Sequence, residues 1–357
     1  MSFISLKLYF LGLSKILLKM YSSYGAAAAP KQTPCIWKLR DWINPDKLNW
    51  NFLSRCPYAI SLLEQNSDKI NWEYLSENPA AGALLEQNPK KIDWFLLSKN
   101  PAASAIALLK QNPDKIDWMM LSQNTAEGAI TLLERNTEKI HWIFLSANPT
   151  AIHILERNLK KIHWKFLSAN PADGAIALLK QNPDKIDWQN LSRNTNAGAI
   201  ALLKQNPNKI SWFYLSLNTA EAAISLFEQN PDKLFWNFLS LNTTAGAILL
   251  LERNQNKINW LSLCKNPAAI HLLEQNPDKI VWHDISRISA MGAIALLERN
   301  QDKIDWNALS LNPDIFEIDY KWLAQYMAPI KEELIATALH PDRIAKWLAM
   351  GGTFDNF

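Results

Sequence analysis

The chain has 357 residues, 48% of them apolar and 20% charged, with sixteen Trp and a formal net charge of +3. That composition builds a core, excludes a disordered chain and puts aromatic content far above ordinary usage. Residues 1–43 carry six Lys and Arg against Asp41 alone, a net +5, so the other 314 sum to −2 and lack the basic footprint of a polyanion binder.

The first 22 residues, MSFISLKLYFLGLSKILLKMYS, are apolar with three Lys and no acids. Three readings stand side by side. One is a cap helix over the first repeat, or a disordered leader, and another a basic amphipathic helix on a membrane. The third is a secretory signal, for which GAAAAP at 25–30 resembles a cleavage region although Lys15 and Lys19 lie inside or behind the apolar core. No apolar run reaches the length of about 18–20 residues that spans a bilayer.

From residue 44 to 313 the chain repeats. Trp50, Trp72, Trp94, Trp118, Trp142, Trp164, Trp188, Trp212, Trp236, Trp260, Trp282 and Trp306 are separated by 22 or 24 residues and nothing else, which defines twelve units. The pattern is N-P-D-K-I-D-W-x-x-L-S-x-N-P-A-x-G-A-I-x-L-L-E-x, and NPDKIDW recurs letter for letter at 112–118 and 182–188.

Each unit predicts two short helices. Asp, Asn or Ser before the Trp is N-cap chemistry, and Trp118 with Leu121 shares one face. The first helix has room for two turns, part of them 3₁₀. The Asn-Pro that follows (Asn78, Asn100, Asn148, Asn170, Asn266) reads as the N-cap and first position of the second helix.

The second helix carries A-I-x-L-L and ends at an Asn found at all eleven junctions from Asn66 to Asn300, a residue that tolerates the left-handed conformation. Long units insert two residues before A-I, with Gly128, Gly174, Gly198, Gly246 or Gly292 among them, which predicts close approach of neighbouring helices. A unit this short cannot bury its own Trp, Leu and Ile. Stacking must do so, and the expected fold is an all-α solenoid, a rod or arc on the order of 100 Å long.

Residues 314–357 break the period. FEIDYKWLAQYM and IKEELIATALH predict two helices and PDRIAKWLAM a third, together a helical cap for the last apolar face.

Little in the pattern looks catalytic. Twelve near-equal copies of D-K-I-D do not make the single constellation of an active site, and no enzyme or cofactor is expected. The six His include His141, His153 and His163 in consecutive units, without Cys or carboxylates at ligand spacing, so no metal site is expected. The three Cys are scattered; Cys56 stands where Asn is usual and Cys264 where Ser is usual, which fits a reducing compartment.

A Lys recurs in every unit, from Lys47 to Lys303, and a nucleic-acid track along this ladder is the runner-up function. The acid before most of these Lys favours a solvated, structural row. The Trp stripe reads as core. The two residues after each Trp vary freely, and Tyr74, Phe213 and Tyr214 are the candidate contacts for a protein partner.

From about Trp37 to Phe357 the chain resembles the tandem-repeat proteins of giant nucleocytoplasmic DNA viruses, built from NPxxIxWxxLSxNPxAIxLLExN units. KLRDWINPDKLNWNFLSRCPYAISLLEQN at 38–66, NPTAIHILERN at 148–158, NPAAIHLLEQN at 266–276 and the closing IKEELIATALHPDRIAKWLAMG carry the likeness. The resemblance implies a non-enzymatic repeat protein that binds other proteins in the host cytoplasm or virion, with no family site residues to transfer. The long units with G-A-I and the apolar leader depart from that pattern, and the leader leaves membrane association through residues 1–22 open.

Overall fold

The computed structural model describes residues 36–338 and a few positions beyond. The apolar leader, the third C-terminal helix and the Phe354–Phe357 tail lie largely outside the described residues. Residues from Trp37 onward form one compact unit, and it is an all-α solenoid of short helices.

Unit 4 shows how the letters fold. Pro113–Lys115 is itself a turn of 3₁₀ helix, so most units carry three helical pieces rather than two. Asp117 caps the first helix, Trp118–Gln123, its Oδ1 accepting from Met120 N–H at 2.8 Å. The second helix is Glu127–Arg135. First helices pack against first helices of the adjoining units and second against second. Leu121, Ala129 and Leu133 are fully buried between them.

Two polar residues do work that the pattern did not announce. Ser98 Oγ donates to Trp94 O in its own unit and accepts Asp117 N–H from the next at 2.9 Å. Asn124 donates from Nδ2 to Ser98 O and Asn100 O of the previous unit, at 3.1 and 3.0 Å, while its Oδ1 accepts Ala126 N–H. The same bonds recur at Asn148, Asn170, Asn194 and Asn218. A buried amide thus rivets each unit to the one before it, satisfying backbone carbonyls that close stacking shields from water.

These contacts change two expectations. Asn78, Asn100, Asn148 and Asn170 end the first helix or follow it, and the second helix begins three or four residues later; in units 10 and 12 Asn266 and Asn312 do cap a turn begun by the following Pro. The junction Asn is not left-handed either. Asn112 has φ −130° and ψ 64°, and its Nδ2 donates back to Leu108 O at 2.9 Å. An amide reaching its own last turn, not a conformational allowance, selects Asn here.

The small residue of the long units is required by contact. A Cβ built on Gly128 would stand 2.7 Å from Ile106 Cγ2 of the preceding unit. Alanine in place of glycine in an exposed helix is normally worth about 0.5–1 kcal/mol. At this position Gly128→Ala is expected to lose that gain, and Gly128→Val to cost about 1–3 kcal/mol in chemical denaturation. An alanine variant more stable than the parent would refute the packing argument.

The solenoid does not run out as a rod. Its two ends meet, and they meet through the bonds used between consecutive units. Asn49 N–H in unit 1 donates to Ser310 Oγ in unit 12 at 2.7 Å, as Asn71 N–H donates to Ser54 Oγ at 3.0 Å. Asn49 Nδ2 donates to Asn307 Oδ1 as Asn71 Nδ2 donates to Asn51 Oδ1. Lys47 lies over the Trp306 ring as Lys69 lies over Trp50. Unit 1 therefore follows unit 12, and the twelve units close a ring.

In the row of second helices the closure is made differently, because unit 12 lacks one. There β1 (Trp37–Leu39) pairs antiparallel with β2 (Phe316–Ile318), in the register Trp37 with Ile318 and Leu39 with Phe316. Arg40 N–H donates to Ile315 O at 2.9 Å and Arg40 Nε to Asp314 O at 2.7 Å. Lys38 and Arg40 both pair with Glu317, and Trp37 packs on Tyr58 with ring centroids 4.3 Å apart.

The face expected to be covered by residues 314–357 is thus covered at Trp306 and Ser310 by unit 1. FEI is a strand rather than the start of a helix, and the two helices expected after it are one, Tyr320–Ala338, running through Pro329.

Candidate functional site

The Lys ladder is occupied by its own scaffold. Lys47, Lys69, Lys91, Lys139, Lys257 and Lys303 each lie over the indole of the previous unit, between 4.4 and 5.1 Å from the ring centroid. Lys115, Lys185, Lys233 and Lys279 pair with the Asp beside them. Hydrogen bonds from these Lys hold Asp184, Asp232 and Asp278 below the usual carboxylate range. The twelve repeat Trp are half-buried against the core, so the stripe is the shoulder of the core with a cation on its open face.

The second Asp of D-K-I-D is spent on capping, at Asp93, Asp117, Asp187 and Asp305. Asp305 also accepts from His283 Nδ1 at 2.8 Å, and that bond holds its carboxyl below the usual range. His141 and His163 sit at cap positions against Phe144 and Phe166, and His153 meets Glu134 of the preceding unit. The three His thus meet different neighbours, and His141 and His163 each keep a buried Nδ1 without a hydrogen bond among the described residues. Among the described residues no group of three or more His, Cys, Asp or Glu side chains is placed to hold a metal ion.

The Cys substitutions fit the polar rivets unequally. Cys264 keeps the inter-unit half of the Ser role: its Sγ accepts Val281 N–H at 3.3 Å, but it donates to Lys279 O of the next unit rather than to its own Trp carbonyl. Cys56 cannot supply the amide donors, and the ribbon of β1 and β2 stands beside it. Burial pushes the Cys56 thiol up from about 9 to about 11, against smaller opposing help from the Tyr58 and Ala59 N–H groups.

At pH 8 that leaves Cys56 with roughly a hundredth of the thiolate of an exposed Cys. Alkylation in the folded ring is expected to be slower by about that factor, and to recover in denaturant. The native state keeps its proton where the unfolded chain loses it. This group's stabilisation is therefore full below pH 9 and is lost as pH rises toward about 11.

Five of the exposed apolar residues fall on one position, the residue after Trp. Phe95, Met119 and Ile143 present it in units 3, 4 and 5, Phe213 in unit 8 and Leu261 in unit 10, each between 36 and 59% exposed. Because units are equivalent, these side chains lie on one face of the ring. Around the closure the same position is polar: Asn51 and Asn307 bond the neighbouring caps, and His283 does so in unit 11.

The structure brings Phe213 and Tyr214 together but not Tyr74. Phe213 packs edge-on to Tyr214, Phe235 and Phe238, with centroids 5.1, 5.8 and 4.6 Å apart. Phe213 and Phe235 remain 42 and 43% exposed. Tyr74 is half-buried six units away, across the ring, under the Arg55 guanidinium. Phe235 and Phe238 were not foreseen, although Phe in place of a capping residue at 235 was a visible signal.

No helix among the described residues is long and apolar enough to cross a membrane. No family model, curated protein or solved structure matches the chain.

Proposed function

We propose that this chain is a non-enzymatic scaffold that binds a protein partner on the exposed face of its ring. The observation that carries the reading is the aromatic cluster of units 8 and 9, where Phe213 and Phe235 stay open to solvent. Aromatic side chains held rigid by one another are the usual anchors of protein interfaces. The likeness to giant-virus repeat proteins supports a partner in an infected cell or a virion, and a membrane contact through residues 1–22 goes with the same reading. The near-neutral body, and Lys already engaged by Trp and Asp, make nucleic acid a poor occupant.

The test is affinity capture from infected cells with the full chain and a Phe213→Ser/Phe235→Ser double variant of unchanged fold. A defined set of proteins held by the parent and released by the variant supports the reading. Recovery of nucleic acid with a steep salt dependence, indifferent to the two Phe, overturns it.

A further inference from the structure

The joint between units 10 and 11 departs from the usual pattern at two positions at once and brings two basic residues together beside them. The second residue after Trp is Phe, Tyr, Leu or Met in units 1–6, 8 and 9, but Asp284 in unit 11. The buried Asn of the polar rivet is replaced by Ile288. The residue after the helical Ser is Arg287, facing Lys265 at the corresponding place in unit 10.

The joint between units 1 and 2 shows what these letters normally do. There Tyr74 occupies the space, the Arg55 guanidinium lies 5.5 Å from its ring centroid, and Glu77 pairs with Arg55 at 2.9 Å. Ring, cation and acid satisfy one another.

At the joint of units 10 and 11 the aromatic ring is missing and so is the acid. A cavity of about 490 Å³ opens there, lined by Lys265, Pro267, Asp284, Arg287, Ile288 and Ser289. Asp284 is 6% exposed and has neither a hydrogen bond nor an ion pair among the described residues. Its carboxylate opens into the cavity with no partner supplied by the described residues, so it is free to meet a cationic group. Lys265 and Arg287 are exposed at the rim, without ion pairs among the described residues.

We propose that this cavity is a binding site for a small acidic amino acid or a compound of the same charge pattern, with one ammonium and two carboxylates. Asp284 takes the ammonium in the recess, and Lys265 and Arg287 take the carboxylates at the rim. The lining carries two positive charges and one negative, the complement of such a ligand, and the volume falls in the range of small-molecule sites. Ser289 is held at the edge by its bond to Asp314 at 3.1 Å, which ties the site to the closing unit of the ring.

The experiment is calorimetric titration of the full chain with L-glutamate and L-aspartate, with glutarate and a simple alkylamine as one-sided analogues. Saturable binding of an acidic amino acid is expected, weakened about tenfold or more when ligand or protein lacks one partner: in glutarate, in Asp284→Asn and in Arg287→Ala. Circular dichroism of both variants establishes that the ring remains folded. No saturable binding of either amino acid up to about 10 mM overturns the proposal. So does binding that Asp284→Asn leaves unchanged, or that glutarate matches.

Discussion

Asn170→Ala is expected to destabilise the ring by about 3–5 kcal/mol, one of the largest effects available to a single polar residue here. Asn170 is fully buried. Its Nδ2 serves Ser146 O and Asn148 O at 3.0 and 3.1 Å, and its Oδ1 serves Ala172 N–H at 3.0 Å. Alanine leaves a void where the amide stood, and two carbonyls and one N–H without partners between units, each worth about 1–3 kcal/mol when stranded.

The comparison is Asn182→Ala. That side chain is half-buried and makes one local bond, to Leu178 O at 2.9 Å, so its loss should cost about 1 kcal/mol. Urea unfolding followed by Trp fluorescence reads both. Equal midpoints for the two variants would mean that the buried row is not what joins the units.

Joining positions 49 and 307 covalently is the second large effect. With Asn49→Cys and Asn307→Cys in a background where Cys35, Cys56 and Cys264 are Ser, a short bis-maleimide is expected to link the two. The rate should match that of the internal pair Asn51→Cys with Asn71→Cys. The native amides meet at 2.7 Å across the closure and 3.0 Å at the internal joint.

The closing link spans 258 positions and the internal one 20. Chain entropy then gives the closing link the greater stabilisation, up to about 5 kcal/mol against about 3. Mass spectrometry of linked peptides reads the first result and thermal unfolding the second. An open arc would hold the two ends tens of ångströms apart and yield no intramolecular product.

The candidate surface was only partly legible. Phe213 and Tyr214 stood out because both residues after Trp212 are aromatic, and the structure joins them. Trp72 is followed by only one aromatic residue, Tyr74, and that ring is half-buried because Arg55 of the preceding unit, paired with Glu77 on Tyr74's own helix, closes over it. A single unit's letters do not show which cation or acid the next unit presents. For the same reason the hollow at Asp284 is invisible until Lys265 and Arg287 are seen to share it.

The sequence alone determined the unit, its period, its Leu and Ile core, the capping Asp, and the need for Gly where second helices touch. All of these follow from chemistry within one unit or a bare steric limit between two. Closure was left to the tertiary structure. Twelve units make a ring only if each turns by about 30° relative to the last, and a change of about 3° per unit would miss by more than one whole unit. No single letter carries that angle. It is the sum of Asn amides reaching back to two carbonyls, Ser hydroxyls bridging units and Gly–Ile contacts, repeated until Asn49 finds Ser310.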